Sequence, residues 1–277
     1  MKLYLVRHGQ STGNIGGTLM GQSDHVLTPL GERQARAAAA HLAPCGPMHV
    51  YHSDLPRARA TAERIVASWP GGEAVASLVP DARLREIHLG DYEGRPWQDF
   101  EADAELTAAF AADPYGTALP NGESLAHLET RVHAAVCDIL AEYGMDDSGA
   151  LCANAVASAD AGAPACASPG SAAAAGAAAA SAEACPSGTV DPSVVATGLV
   201  TPEHEGSACI VAHDGPIRAI LNHYLGVPPQ KWWTLSTTHG GVSLLEFAGG
   251  CVTIRFVNAT AHLDGLEADT YVPAADG

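Results

Sequence analysis

Lysine is nearly missing from this chain: Lys2 and Lys231 are the only two among 277 residues. Every other fixed positive charge is arginine, so an anion site here would be built from guanidinium forks rather than ammonium groups. Positive charge of either kind is scarce, with 14 Lys and Arg against 31 Asp and Glu and a formal net charge of -17. That balance argues against a nucleic-acid surface, which needs clustered Lys and Arg to neutralise phosphates. Aromatic residues make up only 5% of the chain while apolar residues make up 47%, so Ala, Val and Leu must fill the core. No apolar run approaches the roughly 20 residues of a membrane span, and the first one is too short for a signal sequence. The seven cysteines are odd in number and include no CxxC pair, which suits free thiols in a reducing compartment better than a disulfide framework. A cytoplasmic protein without nucleic-acid or membrane partners is expected.

One segment lacks almost everything a core requires. Between about 144 and 207 the chain turns to Ala, Gly, Ser and Pro, includes SAAAAGAAAASAEA, and carries seven acidic residues but no Lys or Arg. Alanine favours helix, yet no amphipathic stripe would dock one, so residues 144–207 read as a disordered insertion. Residues 1–143 and 208–277 would then form one α/β domain. The rival reading is a linker between two domains, but the last seventy residues look like the completion of one sheet.

Elsewhere strand and helix patterns alternate. In MKLYLVRHGQSTGN a short apolar run, Leu3 to Val6, breaks at Gly9 and Gly13 and leaves His8 at a strand's carboxyl end. In TPLGERQARAAAAHL, Thr28 reads as N-cap and Pro29 as the first helical residue, with Leu30, Ala35, Ala38 and Leu42 at helical spacing. A strand around Met48 to His52 leads to a helix with Ala58, Ala62, Ile65, Val66 and Trp69 on one face, capped by Ser53 or Asp54. A strand is expected near 74–79, and helices over Trp97 to Ala112 and Ser124 to Tyr143. ACIVAHDGPIRAILNHYLG reads as strand, turn and helix, with Asp214 capping a helix that begins near Pro216. GVSLLEF and CVTIRFV, joined by AGG, read as a hairpin. The alternation predicts an α/β fold whose central sheet is mostly parallel, covered on both faces, with an antiparallel edge.

Polar residues fall at the strand ends in register. Arg7 and His8 follow the first strand, Arg57 the second, Glu86 the third, and His213 the strand after the insertion. In open α/β sheets that rim is where ligands bind. Each residue has a bland alternative: His8 a structural histidine, Arg57 a solvated helix residue, Glu86 a loop carboxylate, His213 a turn residue. Taken together, two arginines and a second histidine offer donors suited to a phosphoryl group. A neutral imidazole among them is a nucleophile toward phosphorus, and neighbouring cations disfavour its protonation. Gly9 would admit the backbone close to the phosphate. Glu86, protonated at the start, would donate to the leaving oxygen and then activate water. Arginines supply the charge stabilisation, so no metal and no other cofactor is expected, and the remaining histidines lack the spacing of a zinc site.

VRHGQSTGN, LTPLGERQA, SDLPRARATAE, LREIHLGDYEG, PNGES, VAHDGPIRAIL and VNATAHL, in that order, resemble the histidine phosphatase superfamily in its phosphoglycerate-mutase-like branch. The resemblance spans nearly the whole chain outside the alanine-rich segment. It implies a three-layer α/β/α sandwich and transient phosphorylation of His8. It also implies that Arg7, Arg57 and His213 hold the phosphoryl group, that Asn14 assists, and that Glu86 is the proton donor. Asp214 departs from the family pattern, standing where glycine is common, and a carboxylate aimed into the pocket would weaken phosphate binding. LREIHLGDYEGRPW is similar to phosphatases of small phosphomonoesters, including the α-ribazole phosphate type.

The function expected is therefore a metal-independent phosphatase that hydrolyses a small phosphorylated metabolite through a phosphohistidine. A phosphoglycerate-type phosphomutase is the alternative, though between Ile87 and Asn121 only Arg95 adds fixed positive charge for a substrate carboxylate. A non-catalytic phosphate-binding or scaffold protein is a further one. GQSTG at Gly9 to Gly13 fits the serine-hydrolase elbow, with His213 as base, but leaves Arg7 and Arg57 without a role. GGTLMGQS resembles a P-loop but has Gln22 in place of the lysine. Tyr92, Trp97, Trp232 and Trp233 either stack on an aromatic leaving group or pack. The particular substrate and the oligomeric state stay open.

Overall fold

Among the described residues the strands are β1 (Lys2–Arg7), β2 (His49–His52), β3 (Leu78–Pro80), β4 (Ser207–Ala212), β5 (Val242–Ala248) and β6 (Cys251–Ala259). They form one sheet in the order β3-β2-β4-β1-β5-β6. The first four in that row are parallel; β5 runs antiparallel beside β1, and β6 antiparallel beside β5. The helices are α1 (Pro29–Leu42), α2 (Pro56–Ala67), α3 (Trp97–Ala102), α4 (Ala104–Ala112), α5 (Leu125–Glu142) and α6 (Asp214–Leu225). These elements come from a computed structural model that describes residues 1–72, 76–148 and 206–266.

Successive strand residues point to opposite faces, and the core divides accordingly. Leu3, Leu5, Ile210 and Phe247 pack with Leu128, Val132 and Ile139 of α5 and Ile217 and Ile220 of α6. Tyr4, Val6, Val50 and Val211 pack with Ala38 and Leu42 of α1 and Ala58, Ala62 and Ile65 of α2. The architecture is thus the expected three-layer α/β/α sandwich with a mostly parallel sheet and an antiparallel edge. Each fully buried Leu, Val or Ile in it contributes about 1.5–3 kcal/mol. β1 is buried at four consecutive positions, as a strand covered on both faces must be.

Topology then positions the rim. After β1 the chain goes to α1 on one face, while after the adjacent β4 it goes to α6 on the other. Strands that diverge in this way open a crevice at their carboxyl ends. There the ladder continues past the strands, with His8 N donating to Ala212 O at 3.0 Å and Ser53 N to Val211 O at 3.0 Å.

Several boundaries differ from the sequence reading. Neither Ser53 nor Asp54 caps α2: Leu55 is the N-cap, in extended conformation, and Pro56 takes the first helical position, because proline disfavours helix in the residue before it. The expected helix over Trp97 to Ala112 breaks at Asp103, whose carboxylate accepts from Leu106 N at 3.0 Å and caps α4. α6 starts at Asp214, with His213 as N-cap, so Asp214 is a first-turn residue rather than the cap. β3 covers only Leu78–Pro80, with 73–75 outside the described residues; proline suits its place at the sheet edge. Of the expected insertion, 149–205 lies outside the described residues. Met145 still packs against the core, and Ser207 begins β4.

Candidate active site

His8 stands at the end of β1, 2% exposed. Its Nδ1 lies 2.6 Å from the carbonyl of Gly9. A carbonyl can only accept, so Nδ1 carries the proton and Nε2 keeps its lone pair. Burial, followed by the charges of His213, Arg57, Arg7 and His239, holds its pKa well below the ordinary histidine value, and the ring is neutral. The ring centroid of His213 lies 4.9 Å away, edge-on, and that of His239 5.5 Å away.

The charges of Arg7 and Arg57 both act on His8. Arg57, on the first turn of α2, is fully buried; its Nη1 and Nη2 donate to Ser23 O at 2.8 Å and Gly21 O at 2.7 Å. Arg7 Nη1 donates to Thr237 O at 2.6 Å. The Arg7 backbone is gripped from β5's side, with Gly240 N donating to its carbonyl and its own N–H going to Gly241 O. His213, also fully buried, pairs through Nε2 with Ser53 Oγ at 2.8 Å. Four buried polar atoms in this cluster have no hydrogen-bond partner among the described residues: Arg7 Nε, Arg57 Nε, His213 Nδ1 and His239 Nε2.

Glu86 follows the short turn at Ala82–Leu84. Its carboxylate accepts from Ile87 N at 2.9 Å and Gly215 N at 3.3 Å. A Cβ at 215 would run into Glu86 Oε1, so only glycine allows this approach. Burial raises the Glu86 pKa, helped by the charge of Asp214 and opposed by the two N–H donors and Arg7. The loop bearing Glu86 is clamped by Arg131 of α5, whose guanidinium donates to the carbonyls of Arg83, Arg85 and Glu86 at 2.7 to 2.9 Å and pairs with Glu123 at 2.6 Å.

Other expectations are revised. Gly9 does not serve close approach to an anion alone: a Cβ there would meet the carbonyl of Gly31, so β1–α1 packing demands the glycine. Asn14 has its carboxamide oxygen bound to Ser11 N and Ser11 Oγ, both at 2.8 Å; only its NH₂ is left as donor to a ligand. Ser11, the serine of the GxSxG match, is fully buried on Asn14, and the serine on His213 is Ser53. Asp214 does not stand bare in the pocket. Its Oδ2 accepts from Arg218 Nε at 2.7 Å, and its Oδ1 from Thr237 Oγ1 at 2.6 Å, 3.6 Å from Arg7 Nη1. Trp97, Trp232 and Trp233 line a cavity that reaches Glu86. Tyr92 is buried outside its wall, bonded to Asp103 at 2.8 Å.

Sequence reasoning assigned no role to Glu93, although it lies inside LREIHLGDYEG. Its carboxylate accepts from Gly21 N, Gln22 N and Ser23 Oγ at 2.7 to 3.1 Å, fixing the loop whose carbonyls hold Arg57. Burial opposes its charge, but these donors prevail and its pKa is lowered. His239 was missed as well; burial, with the charge of Arg7, lowers it to about 3. The fold also gathers His133, Asp147 and His223, one ligand atom from each within 4.8 Å of the others, a grouping that sequence spacing does not reveal.

Comparison with known proteins agrees with this geometry. The model of the histidine phosphatase superfamily (branch 1) matches residues 3–158 and 194–260, and the chain belongs to that superfamily. Among curated relatives, the probable phosphoglycerate mutase GpmB of Yersinia pestis is 36% identical over 137 residues, 49% of this chain and 61% of the relative. The chain thus aligns with about three fifths of that relative's length. The α-ribazole phosphatase of Shigella flexneri shares the fold, with a TM-score of 0.64, 22% identity, and 94% and 98% of the two chains covered. So does the mycobacterial glucosyl-3-phosphoglycerate phosphatase, at 0.63 and 24%, with 93% and 99% covered. Among the described residues no helix is long and apolar enough to cross a membrane.

Proposed function

We propose that this chain is a metal-independent phosphatase that hydrolyses a small phosphomonoester through a phosphohistidine at His8. The observation that carries this reading is the set of unpartnered buried polar atoms on Arg7, Arg57 and His213 around a histidine whose Nε2 is free. Buried donors without partners are uncommon, and an anion with several oxygens satisfies all of them together. Ser53 Oγ accepts from Leu55 N at 3.3 Å; in the tautomer in which its hydroxyl donates to His213 Nε2, Nδ1–H is left as a donor to the phosphoryl group.

The steps follow from these positions. His8 Nε2 attacks phosphorus in line; the P–N bond forms as the ester P–O bond breaks. Glu86, whose pKa burial raises, enters in its acid form and gives its proton to the departing oxygen. Water then attacks the phosphohistidine, Glu86 takes its proton, and the P–N bond breaks to release phosphate and neutral His8. Arg7, Arg57 and His213, with the Asn14 amide, stabilise the charge on the equatorial oxygens.

The name of the Yersinia relative favours a second reading, a phosphoglycerate-type mutase. A mutase must hold a substrate carboxylate, yet Arg95 is paired with Asp99 at 2.9 Å and Arg131 with Glu123. A non-catalytic phosphate binder would need no acid beside the histidine. The test is hydrolysis of an aryl phosphate with trapping of an acid-labile phosphoenzyme. Wild type should turn over and label; His8→Ala should lose label and fall by about 10⁶-fold, the scale for removing a covalent nucleophile. Equal rates in the two proteins would overturn the reading.

A further inference from the structure

Beyond Glu86, Asp214 and Gly215 the site opens into a cavity of about 590 Å³. Its wall is overwhelmingly apolar, with Phe100, Phe110, Leu119 and Leu125 among the lining residues. Trp97 and Trp233 also line it, and both are exposed, at 48% and 66%. Large aromatic surface left open beside a reactive centre is surface prepared for a ligand. Among the described residues no Lys or Arg lines the cavity, and its titratable wall residues, Glu86, Glu123 and Asp214, are all acidic. The nearby cations carry acidic partners: Arg131 pairs with Glu123, Arg95 with Asp99, and Arg218 through Nε with Asp214, its Nη1 left unpartnered, while its guanidinium lies 5.1 Å from the Trp233 ring centroid.

We infer that the substrate is the phosphate ester of a bulky, uncharged, apolar alcohol or phenol, whose hydrocarbon part fills this cavity while Glu86 faces the bridging oxygen. This rests on the phosphatase reading of His8 and adds the leaving group's chemistry to it. A small ester bearing a carboxylate would leave most of the volume unfilled and find no lysine or arginine among the described lining residues to pair with.

n-Alkylphosphonates test this separately from catalysis, because they have no P–O–C bond to break. Titrated into the full chain and followed by tryptophan fluorescence, their affinity should rise about fourfold per methylene from methyl to hexyl, which is ~0.8 kcal/mol per buried CH₂. Phosphonoacetate should bind no tighter than methylphosphonate. Phe110→Asp, at a partly exposed position of α4, should flatten the series while circular dichroism stays native. A flat series in wild type would overturn the inference. So would tighter binding of phosphonoacetate, which would point instead to the buried, unpartnered Nη1 of Arg218. A chain-length series in a protein that forms no phosphohistidine defeats only the phosphatase reading; a phosphohistidine with no chain-length series defeats only the present one.

Discussion

The two ends of the site are built differently. The end proposed to hold phosphate consists of residues that follow strand ends, Arg7, His8, Arg57 and His213; all but the partly exposed Arg7 are buried, and they are held by backbone carbonyls or a serine hydroxyl. The cavity end is walled mostly by two short helices, loops and a 3-10 turn over Pro229–Thr234, together with Leu125 and Leu128 of α5, and the rings of Trp97 and Trp233 are exposed. A sheet fixes backbone positions closely, which suits a reaction intolerant of misplacement. Loops and short helices set volume and polarity, which suits selection among leaving groups.

Three perturbations would break or sharpen that division. Glu86 sits at its boundary, and Glu86→Gln should slow esters of basic alcohols by about 10²- to 10⁴-fold, and good leaving groups less. The pH profile checks the assignment. In wild type kcat/KM should fall as pH rises through the raised Glu86 pKa, because the acid form donates. His8, lowered by burial, should put the acidic limb well below the ordinary histidine range. The variant should lose the alkaline limb, and its persistence would move that limb to another group.

Arg57→Ala belongs wholly to the phosphate end and should cost about 10²- to 10³-fold in kcat, as for loss of one transition-state donor. The ratio of rates for long and short alkyl esters should not change; a changed ratio would dissolve the division. The smallest effect is expected from Glu93→Gln, a positioning change. Turnover should fall by roughly tenfold, less than the ~10² that a 1 Å misplacement can cost. Amide exchange at Gly21 and Gln22 should quicken while Tm stays near wild type. Glu93→Asp should restore part of the rate, whereas unchanged exchange would show that the loop does not depend on the carboxylate.

The same division separates what could be read from the chain from what could not. Thr28 and Pro29 opening α1, with Thr28 Oγ1 accepting from Gly31 N at 3.0 Å, was legible because cap and partner lie three residues apart. His8, Arg7 and His213 were legible because strand ends announce themselves through an apolar run that stops. Glu93 and Arg131 were not, since their meaning lies in carbonyls and amides 45 to 72 residues away. His239 was hidden because its neighbour His8 comes from the far end of the chain. The break at Asp103 was missed because Ala102 and the alanine-rich AELTAAFAA that follows favour one continuous helix, and only the side-chain cap reveals two.

The place of β4 has a consequence for how the molecule comes into being. It lies between β2 and β1 but is made after both, so a growing polypeptide that has emerged only as far as α5 has its first two strands with an empty lane between them. Each exposes an unsatisfied row of amides and carbonyls to any passing strand. That interval leaves the chain open to misassembly, and it closes when residues 207 to 212 pair with both neighbours and bring His213 beside His8.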